Sequence, residues 1–193
     1  MSMAPAYPFA LDADPPAPQS RLTVFFRIIM VIPHLIIVAL LGAVASLITL
    51  AAWFIILFTG SYPPGMSSFV MNTLHWTTRA NGYMYLLTGV YPPFAMGPDD
   101  SYPVRLSGTP QESGRNRMTV FFRIFMIIPH VIILYFIQIA AQVVLLISWF
   151  AALFTGSVPP GLHTFMLGYL RWNTRLSAYY MLLTDEYPPF SLN

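Results

Sequence analysis

The chain contains the same stretch of sequence twice. Residues 23–94 align with residues 119–190 at a constant offset of 96 positions, without a gap, and 37 of the 72 aligned positions are identical. Both copies pass through IPH, LFTG and PPG, and both end in YPPF. Two copies this similar are expected to fold alike and to meet their surroundings in the same way.

The composition indicates a membrane protein. Hydrophobic residues make up 56% of the chain, charged residues only 8%, and the mean hydropathy is +0.64, whereas soluble domains carry about 25% charged residues. All nine basic residues are arginine, whose long stem can lie in hydrocarbon while the guanidinium reaches phosphate or water. The lack of cysteine excludes disulfides and thiolate chemistry. A net charge of +2 without a basic stripe argues against a nucleic-acid partner.

Each copy is predicted to contain two membrane-spanning helices. Residues 35–58 and their counterparts 131–154 carry no charge over 24 positions, and about 20 apolar residues span a bilayer. Residues 66–88 and 162–184 are less apolar. Copies in the same orientation require an even number of crossings between them, so these segments are predicted to span as well. An amphipathic helix lying in the interface is the alternative for them.

The charge distribution predicts the orientation. All seven acidic residues lie in the N-terminal arm, in the linker between the copies or near the C-terminus, while both PPG turns are uncharged. The positive-inside tendency places the arm, the linker and the C-terminus in the cytoplasm of a bacterial inner membrane and the turns outside. We therefore predict an all-α membrane protein with four spanning helices and cytoplasmic termini. Its two tandem parallel repeats would be related by a pseudo-two-fold axis along the membrane normal.

The domain boundaries follow from the repeat. They define an extramembrane arm, membrane repeat 1, a cytoplasmic linker and membrane repeat 2, at residues 1–20, 21–94, 95–116 and 117–193.

Two local features refine this prediction. Pro33 is expected to kink the first helix, and the pattern leaves open whether residues 21–32 continue into the first span or lie apart in the interface. Residues 7–11 (YPFAL) alternate in polarity and residues 102–106 (YPVRL) resemble them. A short pair of strands outside the membrane is one interpretation, which the prolines weaken.

The string FFR…IPH…LFTG…PPG…RW..R..Y..LLTDEYPPFSL resembles a widespread family of bacterial membrane domains catalogued only as a domain of unknown function. The resemblance covers nearly the whole chain, in both copies. The second copy fits better at its end, where LLTDEYPPF stands in place of LLTGVYPPF. The resemblance implies an integral bacterial membrane protein and brings no reaction, ligand or catalytic residue.

A first set of polar residues is predicted to contact lipid or partner headgroups. It comprises Arg27, His34, Arg123 and His130. Seven positions separate each arginine from its histidine, so both share a helix face if the helix continues through the proline. The simpler interpretation is an arginine that reaches lipid phosphate beside a histidine that caps a helix end.

Two further sets are predicted inside the membrane. An intramembrane clasp would turn its arginines inward against aromatic rings or backbone carbonyls, with an anion or proton path as the functional alternative; it comprises Trp76, Arg79, Tyr83, Trp172, Arg175 and Tyr179. A helix-packing set would place small residues of the first span against glutamines of the third; it comprises Gly42, Ser46, Gln138 and Gln142.

The functional expectation is a non-catalytic accessory or scaffolding subunit of a bacterial inner-membrane complex, with a respiratory or photosynthetic assembly as one natural host. Its partners would be membrane lipids and other integral membrane subunits. No cofactor, metal or enzyme activity is expected, because the four histidines are widely spaced and the P-loop, G-x-S-x-G and H-E-x-x-H motifs are missing. A small transporter or channel with an arginine-lined anion path is the alternative, followed by a lipid-modifying enzyme.

Overall fold

The computed structural model describes residues 7–193, which form four helices and two short strands. The helices are α1 (Arg21–Thr59), α2 (Pro64–Met84), α3 (Arg117–Thr155) and α4 (Pro160–Tyr180), and the strands are β1 (Ala10–Ala13) and β2 (Val104–Ser107).

The helices α1 and α3 are single elements of 39 residues each. Pro33 lies inside α1 and does not end it, so residues 21–32 belong to the same helix as the first predicted span. Gly60 ends α1 in the left-handed conformation, with φ of 76°, which glycine adopts without a steric cost. Next, Pro64 opens α2, because the fixed φ of proline suits the first helical turn. The prolines of this turn therefore start a helix, while Gly60 ends the preceding one.

The two repeats run antiparallel to each other, which corrects the predicted parallel arrangement. Near the end of α1, Trp53 Nε1 donates to the carbonyl oxygen of Val120 at the start of α3, at 2.9 Å. At the other end, Trp149 Nε1 of α3 donates to the carbonyl oxygen of Val24 in α1, also at 2.9 Å. A two-fold axis that relates antiparallel helices is perpendicular to them. The axis therefore cannot lie along a membrane normal that the helices follow.

The described chain forms three layers. Helix α1 packs on α2 and on α3, and α3 packs on α4; the strands contact α2 and α4 and neither of the long helices. Strands β1 and β2 pair antiparallel, with Ala10 opposite Ser107 and Ala13 opposite Val104. The strand pair suggested by the two YP segments therefore forms. It covers the middle layer of α2 and α4 on the side away from α1 and α3.

Two of the four helices, α1 and α3, are long and apolar enough to cross a membrane. The helices α2 and α4 do not meet that criterion, because their sequences are less apolar than those of α1 and α3. The strand pair over them carries exposed charges, among them the ion pair between Arg105 and Asp14 at 2.7 Å. Exposed charges over the middle of a spanning helix would lie in hydrocarbon, at high cost. Four spans are therefore not supported by this fold.

The predicted placement of the PPG turns opposite the linker is wrong. The backbone N–H of Tyr62 in the first turn donates to the carbonyl of Glu112 in the linker at 2.7 Å. In the second repeat, the carbonyl of Gly156 accepts a hydrogen bond from the backbone N–H of Gln19 in the arm, also at 2.7 Å. Segments joined by backbone hydrogen bonds cannot lie on opposite sides of a bilayer whose core is about 30 Å thick.

The predicted packing of Gly42 and Ser46 against Gln138 and Gln142 is also wrong. A Cβ atom at Gly42 would have no neighbour within 4 Å, and the Ser46 hydroxyl donates to the Gly42 carbonyl of its own helix at 2.8 Å. Both glutamines are exposed. The small residues that are completely buried on the two long helices are others, namely Ala45, Ala52, Ala141, Ser148 and Ala152.

Candidate functional site

Each repeat buries a histidine between aromatic side chains. Trp76 Nε1 of α2 donates to His34 Nδ1 of α1 at 3.0 Å, and Phe94 stacks on the imidazole with ring centroids 4.1 Å apart. The equivalent bond from Trp172 to His130 measures 2.9 Å. Both histidines are completely buried. The prediction that they contact headgroups is therefore wrong, because the YPPF segment of each repeat covers them.

The tautomer of these histidines follows from the bond. Since Nδ1 accepts a hydrogen bond, the proton of the neutral ring lies on Nε2. Within residues 7–193, Nε2 of His34 and of His130 has no hydrogen-bond partner. Each imidazole thus joins the long helix to the short helix of its repeat, and its other nitrogen faces the packed interior.

The arginines of the predicted clasp hold the ends of their own repeats. Arg79 donates from Nη1 to the carbonyl of Gly97 at 2.6 Å and from Nη2 to the carbonyl of Ala95. Arg175 makes the same two contacts with the last residues of the chain. These are the backbone-carbonyl contacts described for an inward-facing arginine. Both guanidinium groups are thus held by carbonyl oxygens of the segment that follows their own short helix.

The remaining member of the predicted headgroup set in repeat 1, Arg27, is only 2% exposed. Its Nη1 donates to the carbonyls of Tyr83 at 2.7 Å and Thr88 at 2.8 Å, and its Nη2 donates to Gln19 Oε1 at 2.7 Å. The guanidinium carbon lies 4.3 Å from the centroid of the Tyr83 ring, within the range of a cation–π contact. This cluster joins the arm, α1 and the end of α2, and it contains no carboxylate.

The equivalent cluster of repeat 2 does contain a carboxylate. Arg123 Nη2 donates to Asp185 Oδ1 at 2.6 Å, and Arg115 Nη2 donates to the same oxygen at 2.6 Å. The Arg123 guanidinium lies 4.2 Å from the centroid of the Tyr179 ring. Burial opposes ionisation of Asp185, but the hydrogen bonds from Arg115 and from the backbone N–H of Asn116 hold its pKa below the ordinary value.

The two clusters differ at two aligned positions. Gln19 stands where repeat 2 has Arg115, and Gly89 stands where repeat 2 has Asp185. Sequence reasoning did not select Gln19, Arg115 or Asp185. The signal was present in the sequence, in the difference between LLTGVYPPF and LLTDEYPPF. The second segment contains an acid at the position where the first has glycine.

A groove opens beside each of these arginines, between the first half of one long helix and the second half of the other. Groove 1 has a volume of about 530 Å³, and the residues that define it include Arg27, Val31, Leu35, Gln142, Leu145 and Trp149. Groove 2 has a volume of about 190 Å³, and the residues that define it include Arg123, Ile124, Ser46, Thr49, Trp53 and Leu182. The two grooves are related by the internal symmetry. They differ in size, in the charge partner of the arginine and in some lining residues, since Gln142 and Leu145 of groove 1 correspond to Ser46 and Thr49 of groove 2.

The described residues do not gather three or more histidine, aspartate or glutamate side chains in a group that could hold a metal ion. The chemistry available at the candidate site is therefore that of a buried guanidinium beside an apolar groove. Such a site can bind an anion or an amphiphile, and it offers no nucleophile next to a base.

The fold and the site define a class: a helical protein of two antiparallel repeats, with two apolar outer helices and an arginine cluster in each repeat. The family model described as domain of unknown function DUF4389 matches residues 21–96 and 117–191. The two matches cover most of the chain, which therefore belongs to this family. Neither the comparison with curated proteins nor the comparison with solved structures gave a match.

Proposed function

We propose that this protein is a non-catalytic scaffolding subunit embedded in the bacterial inner membrane through the layer formed by α1 and α3. The observation that carries the proposal is the unequal distribution of side chains between the layers. Large apolar side chains are exposed along both long helices, for example Ile28, Leu47, Phe58 and Phe154. A monomeric soluble protein does not expose an apolar face of this extent.

The opposite face is polar. The strand pair and the segments beside it carry ion pairs between Arg105 and Asp14 at 2.7 Å and between Arg171 and Asp12 at 2.9 Å. A slab with one apolar face and one charged face enters a bilayer from one side, with its charges at the headgroups. In this arrangement each repeat places its long helix in the bilayer and its charged side at the headgroups, as expected for two copies of one sequence.

This proposal replaces four spans by insertion from one face. The backbone hydrogen bonds between the turns and the arm or linker support it, because they keep both ends of the long helices on a continuous surface. Cytoplasmic termini remain a prediction from the charge distribution.

The partners proposed for the apolar face are membrane lipids and the helices of other integral subunits. A lateral apolar surface of aromatic and branched side chains packs against neighbouring helices without needing polar complementarity. A respiratory or photosynthetic complex as the host stays a prediction. The anion-channel alternative has no comparable support, because Arg79 and Arg175 donate to carbonyls of their own repeats.

The orientation can be tested with single cysteines, since the natural chain has none. Ser61 in the first PPG turn and Ser113 in the linker are both exposed. We expect a membrane-impermeant maleimide to label S61C and S113C from the same side of sealed inner-membrane vesicles, and L47C to be protected. Labelling of S61C and S113C from opposite sides would restore the spanning topology and overturn the proposal.

The scaffolding role can be tested by photo-crosslinking from the apolar face. A photoreactive residue at Leu47 or Leu146 should capture other membrane subunits in native membranes, while the same residue at Ser113 serves as a matched control on the polar face. Mild native purification followed by mass spectrometry should recover those subunits in a fixed ratio. Recovery of this chain alone, with crosslinks to lipid only, would reject the subunit role.

A further inference from the structure

We propose that groove 1 binds one long-chain fatty acid, with the carboxylate on Arg27 and the alkyl chain between α1 and α3. This inference goes beyond the scaffolding role, and it rests only on the membrane embedding of α1 and α3 proposed above. It rests on three observations: the lack of an acid partner at Arg27, the free donors of its guanidinium, and the size and lining of the groove.

The first observation is the charge difference between the repeats. In repeat 2, Asp185 Oδ1 lies 2.6 Å from Arg123 Nη2 and is the counter-ion of this buried guanidinium. In repeat 1 the aligned residue is Gly89, and within residues 7–193 the acceptors of Arg27 are neutral, namely the oxygens of Gln19, Tyr83 and Thr88. A buried charge without a counter-ion is costly. An anion from outside would complete the arrangement that repeat 2 builds from its own chain.

The second observation concerns the donors of Arg27. A guanidinium has five N–H donors, and three of them are used by the contacts with Gln19, Tyr83 and Thr88. One donor of Nη2 and the Nε–H remain. Within residues 7–193, Nε of Arg27 has no partner, and neither has Nε of Arg123, so the repeats differ in the acid partner and not in this donor. A planar carboxylate can accept two parallel N–H bonds from one edge of a guanidinium. The free edge of Arg27 therefore fits this class of anion.

The third observation is the groove itself. Its volume of about 530 Å³ lies within the range of roughly 300–1,000 Å³ found for small-molecule sites, and its other wall is formed by apolar residues of α3, including Leu145, Leu146 and Trp149. Ile28 and Leu146, which also line it, are 70% and 58% exposed. An alkyl chain can therefore enter sideways from the membrane.

These dimensions favour a single-chain carboxylate over a phospholipid. Arg27 is 2% exposed and is enclosed by the arm and by the segment after α2. Because Nε of Arg27 is itself buried, an anion reaches this nitrogen only if neighbouring side chains shift. A carboxylate requires a smaller shift than a phosphodiester, which carries a glycerol and a second chain. Groove 2, at about 190 Å³ and with its arginine already paired, serves as an internal negative control.

The experiment uses the full chain in detergent micelles and a photoactivatable, radiolabelled palmitic acid analogue, with the matching alcohol and a phosphatidylglycerol carrying the same chain as competitors. We expect saturable labelling at one fatty acid per chain, mapped to α1 and α3 around groove 1. Unlabelled palmitate should compete at least tenfold better than either competitor. Equal competition by the alcohol or better competition by the phospholipid would overturn the proposal, as would labelling that never saturates.

Two matched sets of variants separate the head from the chain. Leu146→Trp fills groove 1 and should reduce labelling at least tenfold, whereas Leu50→Trp makes the equivalent change in groove 2 and should leave it unchanged. The double change Gln19→Arg with Gly89→Asp builds the acid of repeat 2 into repeat 1 and should abolish the preference for palmitate over the alcohol. Circular dichroism and thermal unfolding establish that each variant is folded. A folded double variant that keeps the preference would show that Arg27 does not bind the carboxylate.

Discussion

Arg27 and Arg123 occupy equivalent positions in the two repeats and keep the same backbone contact, to the carbonyl of Tyr83 in one and of Tyr179 in the other. Their side-chain partners differ: Gln19 holds the first guanidinium, and Asp185 holds the second. At this position, the contact made to a backbone atom is therefore the same in both copies. The contacts that set the local charge are made to side chains and have changed.

The largest expected effect is at Asp185. Asp185→Asn removes the charge shared by Arg115 and Arg123, which leaves two buried guanidinium groups without a counter-ion. The free energy of unfolding should fall by about 3 kcal/mol or more. Gly89→Ala at the equivalent place in repeat 1 should change it by less than about 1 kcal/mol. Thermal and denaturant unfolding in micelles measure both, and equal effects would remove the distinction between the clusters.

Acid should weaken repeat 2 selectively. Because the folded-state pKa of Asp185 lies below its ordinary value of 3.8, the carboxylate contributes its full stability above about that pH. This contribution is lost as the pH falls through the lower, folded-state pKa. Other acids also titrate in this pH range, so the stability of the wild type alone does not isolate the contribution of Asp185. The measurement is therefore the difference between wild type and variant, and this difference should shrink as the pH falls below about 4. A constant difference would contradict the assignment.

The next effect concerns a position where the repeats differ by one methyl group. Repeat 1 has Gly82, and repeat 2 has Ala178. Gly82→Ala makes the repeats alike, yet its Cβ would lie 2.8 Å from a methyl carbon of Val104 in the buried strand β2. We expect a loss of about 1–3 kcal/mol from overpacking. An unchanged free energy of unfolding would mean that β2 can shift on α2 without cost, which would contradict tight packing at Gly82.

Smaller and equal effects are expected where the repeats agree. Trp53→Phe and Trp149→Phe each remove one indole N–H bond to a backbone carbonyl of the other repeat. Each should cost about 1 kcal/mol, and the double change should be additive because the two bonds lie at opposite ends of α1 and α3. Unfolding of the single and double variants measures this. A marked inequality would show that one end of the helix pair is weaker than the other.

The smallest effect is expected at Gly42. Gly42→Leu should change the free energy of unfolding by no more than about 0.5 kcal/mol, because no atom lies within 4 Å of a Cβ placed there. The substitution is a direct test of the small-residue packing predicted from the sequence. A strong loss of stability in micelles would restore that contact between the long helices.

Local features of this fold were accessible from the sequence. The gapless repeat indicates two equal units, the apolar stretches locate α1 and α3, and Gly60 with the following prolines marks the boundary before α2. The pairing of Trp76 with His34 was not found, although both residues had been selected separately. Their contact depends on how two helices lie against each other, and a periodic pattern does not specify that.

The orientation of the repeats was missed for a physical reason. Parallel and antiparallel copies bury the same residues of each copy, and only long-range contacts such as the bond from Trp53 to Val120 distinguish them. The spanning prediction for 66–88 is not supported, for a similar reason: a buried helix under a strand pair and a weakly apolar span have similar compositions. The charge change from Asp185 to Gly89 was visible in the alignment, but its meaning required the position of Arg27.

The two tryptophan bonds also bear on how such a chain assembles. Each repeat supplies a tryptophan N–H that donates to a carbonyl near the start of the long helix of the other repeat, and β1 of the arm pairs with β2 of the linker. A single repeat expressed alone would present donors and apolar surfaces that only another copy can satisfy. The chain is thus a dimer encoded in one polypeptide. The linker fixes the ratio of the two repeats at one to one, so one repeat can carry an acid at a position where the other has none.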